Sequence, residues 1–245
     1  MLNNRIIERV RQGEQALGLS MSQPSGELVE LAGRMGLDFV GFDGQHSPYP
    51  PDVIEDMCRI ANGLNLTVMS RIADGQESTI LNYLDRGVQC IVIPNLQTRE
   101  EAEAWVKYSF YAPEGLRSAA SFRVSMFQAE QSRPELYAEI NANILIVPQI
   151  ESIDAVENLD DILGVEGIDY FTGGFQDMAQ SLGVPGEPSH PKVAEAYDRA
   201  TEKIHAAGKR WLSDVTDSVN IFMHTRAGIG DLLRKHGREP QITYG

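Results

Sequence analysis

Cysteine is scarce in this chain, with only Cys58 and Cys90 present. Each sits within an apolar pattern, which predicts two buried free thiols and a reducing compartment. Basic charge is also short: 21 Lys and Arg stand against 35 Asp and Glu, giving a formal net charge of −14 and a pI near 4.7. That balance argues against nucleic acid or an anionic membrane as partner. It also means that an anionic substrate must be held by local arginines against the overall field. No apolar run approaches the length that spans a bilayer. The first residues lead into a charged amphipathic helix, with no signal-peptide core. A cytoplasmic protein is therefore expected. No G-x-G-x-x-G follows the first strand, which argues against a dinucleotide fold.

What the chain does have is alternation. Strand patterns at Ala16–Met21, Leu37–Asp43, Leu66–Arg71, Val88–Pro94, Ile144–Val147 and Ile168–Phe171 are each followed by helical spacing. The helices are expected at 3–12, before the first strand, and then at 25–35, 53–61, 76–86, 99–108, 135–140, 153–163 and 191–207. A polar stretch, Tyr111–Pro134, carries Gly115, Arg117 and Arg123 and is long for a simple connection. The C-terminal part is atypical. Trp211–Asp214 reads as a seventh strand and Val219–Arg226 as a helix, while Ala227–Leu233 makes a poor eighth strand that also reads as helix. Alternating βα units over 245 residues, with no shift in composition, predict one (β/α)8 TIM barrel domain spanning residues 1–245.

The chemistry gathers where such strands end. Glu151 follows the fifth strand, and Asp177 follows the sixth after a Gly173-Gly174 turn. Two carboxylates on neighbouring loops of one face can grip a divalent cation, although the same residues also suit helix caps. Oxygen-only ligands fit Mg²⁺ or Mn²⁺ first, with Co²⁺ or Zn²⁺ as further options. The second strand ends at Asp43, with His46 three residues on, and the third ends at Arg71. A cation, a guanidinium and a histidine with a nearby acid suit a small oxo-acid. The cation chelates its oxygens, Arg71 binds the anion and steadies developing charge, and His46 moves a proton.

Phe42-Asp-Gly-Gln-His46, Ser70-Arg71, Leu84-Asp-Arg-Gly87, Pro113-Glu-Gly-Leu-Arg117, Gln149-Ile-Glu151 and Gly174-Phe-Gln-Asp177 together resemble the HpcH/HpaI aldolases. These are metal-dependent class II pyruvate aldolases, and the resemblance runs from about residue 4 to 208. It implies an Asp43–His46 dyad, Arg71 at the substrate, and Glu151 and Asp177 as metal ligands. It further implies Gln149, Gly174 and Gln176 beside the substrate, and an Asp85 that reaches a neighbouring subunit's dyad in a trimer or hexamer. The chain departs from the family pattern at Gln45, where the family has Glu, at Phe175, where it has Pro, and from Lys209 onward. The implied reaction is cleavage or formation of a 4-hydroxy-2-oxo acid from pyruvate, or an analogue, and an aldehyde through a metal-stabilised enolate. Decarboxylation of oxaloacetate on the same site is one alternative, and a non-catalytic ligand-binding barrel is another.

Overall fold

The computed structural model describes residues 3–47, 49–119 and 131–241. Arg123 lies outside them. The described residues form eight strands, all parallel: β1 (Ala16–Met21), β2 (Phe39–Asp43), β3 (Thr67–Arg71), β4 (Cys90–Ile93), β5 (Leu145–Ile150), β6 (Tyr170–Gly173), β7 (Arg210–Trp211) and β8 (Thr216–Asn220). They run in the order β7-β6-β5-β4-β3-β2-β1-β8, so each βα unit adds a strand beside the last and β8 returns next to β1. Between the two end strands lies a 3₁₀ turn, Leu212–Asp214.

The helices are α1 (Arg5–Arg11), α2 (Gly26–Met35), α3 (Pro51–Gly63), α4 (Glu77–Leu84), α5 (Arg99–Ser109), α6 (Arg133–Asn141), α7 (Ile153–Glu157), α8 (Leu159–Ile162), α9 (Phe175–Ser181), α10 (Pro191–Ala206) and α11 (Ile221–Lys235). Local signals set their ends. Ser25 caps α2 by accepting from the Leu28 amide, and Gly36, at φ +88°, ends it in the left-handed conformation that glycine adopts without penalty. Thr98 and Glu101 make a reciprocal capping box on α5. The strands β4 and β5 are apolar almost throughout because the sheet is covered on both faces. Phe39, Phe171, Ile91 and Ile146 are among the side chains wholly removed from water.

In the C-terminal part the helical alternative for residues 227–233 holds, and the strand bounds are corrected. Residues 227–233 are helix, inside α11. The eighth strand is Thr216–Asn220, five residues that carry only one large apolar side chain. Strand β7 is confined to Arg210–Trp211, and Val219 belongs to β8 rather than to the helix that follows. The helix expected at 153–163 is two short pieces that meet at Asn158.

The N-terminal ends of the strands are tied together by α1. Asp38, just ahead of β2, is buried and accepts from Arg5 Nη2 at 2.8 Å, Arg9 Nε at 2.9 Å and the Leu17 amide at 3.0 Å. The Arg5 amide donates to Thr67 Oγ1 of β3, and Asn4 donates to Asn143, ahead of β5, from both its backbone amide and its side-chain nitrogen. Burial pulls the Asp38 carboxyl upward, but the Leu17 amide and the two guanidiniums outweigh it and hold it below its ordinary value of 3.8. A carboxyl lowered on folding contributes stability above its ordinary range and loses it as pH falls through the depressed value. Asp38→Ala is therefore expected to cost about 3 kcal/mol at neutral pH, the low end for opening a buried ion pair, since both guanidiniums keep some water. Urea denaturation should show that deficit at pH 7 and a narrowing gap below pH 3.8; an unchanged midpoint at pH 7 would refute it.

Candidate active site at the strand C-termini

The carboxyl ends of β2, β3, β5 and β6 converge on one rim. Asp43 and Arg71 are the last residues of β2 and β3 and stand opposite each other in the ladder. The guanidinium grips the carboxylate with two bonds, Nε to Oδ1 at 3.0 Å and Nη2 to Oδ2 at 2.5 Å. Asp43 Oδ1 also accepts from the amides of Gln45 and His46. Burial raises the Asp43 carboxyl, but Arg71 and those amides overcome it, so the group sits below the usual carboxylate range and stays ionised near neutrality. Among the described residues the exposed His46 ring holds no hydrogen bond. The carboxylate that the resemblance pairs with this histidine engages the arginine and the backbone amides of the His46 turn.

Glu151 lies one residue past β5 and is only 4% exposed. Its Oε1 accepts from the Asn95 amide at 2.7 Å. Asn95 is in the left-handed region at φ +59°, a conformation asparagine tolerates better than most residues, and that twist aims its N–H at the carboxylate. Asp177 falls in the first turn of α9 and is exposed, so it sits on a helix rather than in the loop that the sequence suggests. Burial first, and then the charge of Asp177, raise the Glu151 carboxyl above its ordinary value, opposed by the Asn95 amide and by Arg71. Arg71 and Asp177 therefore each lie within electrostatic reach of Glu151. A buried carboxylate facing a second carboxylate is a combination that a cation relieves.

Between them runs Gly174. A β-carbon there would lie 2.6 Å from Gln149 Nε2 and 2.9 Å from Glu151 Cβ, and closer still to Glu151 Oε2, so the site uses space that only glycine leaves. Gln149 is buried. Its Nε2 donates to the Gly173 carbonyl at 3.2 Å, while Oε1 has no partner among the described residues. Gln176 is exposed beside Asp177.

The structure brings Asp43, Arg71, Gln149, Glu151, Gly174 and Asp177 together. Asp85 has another partner. Its Oδ1 accepts from Arg117 Nη2 at 2.7 Å, and the Arg117 side chain is 1% exposed and lies over the Tyr111 ring. Sequence reasoning missed Asn95, Arg117's pairing with Asp85, and Tyr197, whose hydroxyl lies beneath the β5 and β6 ends. A strand followed by Pro94-Asn95 was the one local signal for the first. Tyr197 had none, because its partners stand 23 and 47 residues away.

The donor set tests whether a divalent cation fits. Among the described residues no three His, Cys, Asp or Glu side chains gather to hold a metal. Two carboxylates are nonetheless what Mg²⁺ commonly takes from protein, with water and substrate oxygens filling its remaining positions. The unrelieved carboxylate pair and the cradle at Gly174 fit such an ion.

A parallel α/β sheet thus carries two carboxylates, an arginine and a histidine at its strand ends. The sequence model of the family described as HpcH/HpaI aldolase/citrate lyase matches residues 17–229, and the chain belongs to that family. It is an aldolase-type carbon–carbon lyase. The 2-keto-3-deoxy-L-rhamnonate aldolase of Escherichia coli O17:K52:H18 is 34% identical over 212 residues, covering 85% of this chain and 78% of that protein. Its counterpart in Shigella sonnei matches to the same extent. Among solved structures, the HpcH/HpaI aldolase of Desulfitobacterium hafniense superposes with a TM-score of 0.85 at 22% identity, over 97% of this chain and 98% of that one. Macrophomate synthase gives 0.80 at 23% identity, over 95% and 88%. At such identities these two likenesses carry the fold alone.

Proposed function

We propose that this chain is a single-domain (β/α)8 aldolase that requires a divalent cation and cleaves or forms a 4-hydroxy-2-oxo acid. The products of cleavage are pyruvate, or a close analogue, and an aldehyde, and the curated relatives' names favour a deoxy sugar acid as the longer partner. The observation that carries this reading is the Glu151–Asp177 pair beside Arg71, on the rim where such sheets hold their chemistry. Mg²⁺ or Mn²⁺ suits the pair, with Co²⁺ or Zn²⁺ as further options. When bound, the cation supplies Lewis-acid polarisation of the 2-oxo group. Arg71 binds the oxo-acid carboxylate with its fork and faces the negative charge that grows as the enolate forms. Gln149 offers its free amide oxygen beside the same pocket, and Gly174 and Gln176 border it. His46 accepts the proton of the C4 hydroxyl in cleavage and returns it in condensation.

Removing the cation tests the reading. Exhaustive chelation is expected to abolish turnover, and Mg²⁺ or Mn²⁺ to restore it, in an assay that couples released pyruvate to a reporter. Undiminished turnover after chelation would sink the reading. Glu151→Gln should lose Mn²⁺ affinity while its melting temperature holds.

A closed homo-oligomer, trimer or hexamer, belongs to the same reading. One feature supports it. Helix α11 leaves Phe222, Met223, Ile229 and Leu232 exposed, as are Leu17 and Val219 on the adjoining strands. Apolar surface so extended is unusual on a monomer. In the same reading Asp85, which Arg117 holds within this chain, meets His46 of a neighbouring copy. Sedimentation at assay concentration is expected to give the oligomer, and a fully active monomer would refute it. Among the described residues no helix is long and apolar enough to cross a membrane. The buried Cys58 and Cys90 suit a reducing cytoplasm, which is the proposed location.

A further inference from the structure

We propose that Tyr197 is a positioning residue that sets the spacing between the two carboxylates meant for the cation. The proposal rests on the metal reading of Glu151 and Asp177 given above. Its basis is a hydrogen-bond bridge through one oxygen. The Tyr197 hydroxyl donates to the Ile150 carbonyl at 2.9 Å and accepts from the Gly174 amide at 2.8 Å. Ile150 directly precedes Glu151, and Gly174 opens the turn that reaches Asp177 three residues on. The ladder between β5 and β6 ends at the Ile150–Gly173 pair. The phenol oxygen stands where the next rung would be and joins the two strands at the point where they part to present their carboxylates.

The ring is placed to hold that oxygen still. Tyr197 is buried on α10, against Phe175 with ring centroids 4.5 Å apart and Trp211 at 6.0 Å. Its atoms come within 3.0–3.2 Å of where a β-carbon on Gly173 would stand, so strand β6 is packed directly onto it. Burial pushes the phenol pKa up to about 12, so the hydroxyl keeps its proton and remains a donor at neutral pH. Without the oxygen, the Ile150 carbonyl and the Gly174 amide both lose a partner in a place water reaches poorly, and the two strand ends relax independently. Groups that orient metal ligands from behind typically change affinity by about 10–100-fold when removed.

The test is Tyr197→Phe in the full chain, which keeps the aromatic packing and deletes only the oxygen. Mn²⁺ affinity is read from the free-ion signal in electron paramagnetic resonance, with no substrate present, alongside thermal melts and Glu151→Gln as reference. The expected result is a Kd weakened about 10–100-fold with the fold intact at the assay temperature. Wild-type Mn²⁺ affinity in Tyr197→Phe, with Glu151→Gln impaired, overturns the role of Tyr197 and leaves the metal reading standing. Wild-type affinity in Glu151→Gln overturns the metal reading, and the proposal falls with it. A weakened Kd that comes only with partial unfolding also counts against it. Should the variant not fold, amide exchange at Gly174 in the wild-type protein decides. Strong protection without metal supports the bridge, and exchange at the rate of a free amide overturns it.

Discussion

Gly174→Ala is expected to abolish lyase activity in a protein that remains folded. The backbone at Gly174 has φ −139° and would accept alanine without strain. The effect is therefore steric, and its victims are specific. The new methyl meets Gln149 Nε2 at 2.6 Å and Glu151 Cβ at 2.9 Å, and it overlaps Glu151 Oε2. Gln149 Nε2 and Glu151 Oε2 are side-chain ends that can swing away, but Glu151 Cβ is fixed by its backbone, so the rim backbone must also give and some stability is lost. Swinging away also takes the Glu151 carboxylate off the Asn95 amide and out of register with Asp177. A displacement of about 1 Å at a reacting centre typically costs on the order of 10²-fold in rate. The expected outcome is a fall of at least that order in kcat, weakened Mn²⁺ binding, and a lowered melting temperature that still leaves the protein folded at the assay temperature. Gly63→Ala, where a β-carbon would meet nothing within 4 Å, is the matched control and should leave all three unchanged. Wild-type turnover in Gly174→Ala would mean that Glu151 does not work in the position the structure gives it.

Much of this site was legible in the chain because parallel strands announce themselves twice. Apolar runs such as Ile91–Ile93 and Ile146–Val147 mark the buried ladder, and a charged residue at or just past a strand's end marks the rim. Asp43, Arg71 and Glu151 are such residues, and they come to one face. It fails where a strand is not apolar. Thr216–Asn220 turns Ser218 toward Ser20, their hydroxyls 3.0 Å apart, and its other face lies open beside Leu17, so neither side required a hydrophobic pattern. Ala227-Gly-Ile-Gly230 then misleads in the other direction. Its glycines suggest the end of an element, yet α11 continues through them to Lys235.

Long-range placement was the other blind spot. Local spacing puts Asp43 three residues from His46, which invites a dyad. The register of β2 against β3 also sets Asp43 opposite Arg71, a relation between residues 28 apart in sequence that local spacing does not show. Asn95 shows the same limit in milder form. Its position after β4 was visible, while the left-handed twist that turns its amide toward Glu151 depends on a strand that comes 56 residues later.

Arg71→Ala is expected to reduce aldol cleavage and pyruvate C3 proton exchange together, each by about 10²–10³, the usual effect of deleting one preorganised donor from a charge-stabilising site. In the proposed mechanism both reactions pass through an enolate that the arginine faces, so neither escapes. Lysine is a partial substitute at best, because it lacks the planar fork that meets Asp43 on one edge and leaves the rest for a carboxylate. The same geometry assigns Asp43 to the arginine. Asp43→Asn should therefore imitate a milder Arg71 defect, raising KM for the oxo-acid and slowing exchange, and in the double variant with Arg71→Ala it should add little to the single loss. His46→Ala belongs to the proton-transfer step. It is expected to slow cleavage by about 10²–10⁴ while pyruvate affinity and metal binding survive. The deciding measurement is the pair of rates, cleavage and exchange, across wild type, Arg71→Ala, Asp43→Asn, His46→Ala and the two double variants that join Asp43→Asn to Arg71→Ala and to His46→Ala. If Arg71→Ala keeps wild-type exchange, the arginine does not face the enolate. If the Asp43 and Arg71 losses simply add while Asp43 and His46 losses overlap, the aspartate serves the histidine after all, and the ion pair across the β2 and β3 ends is structural.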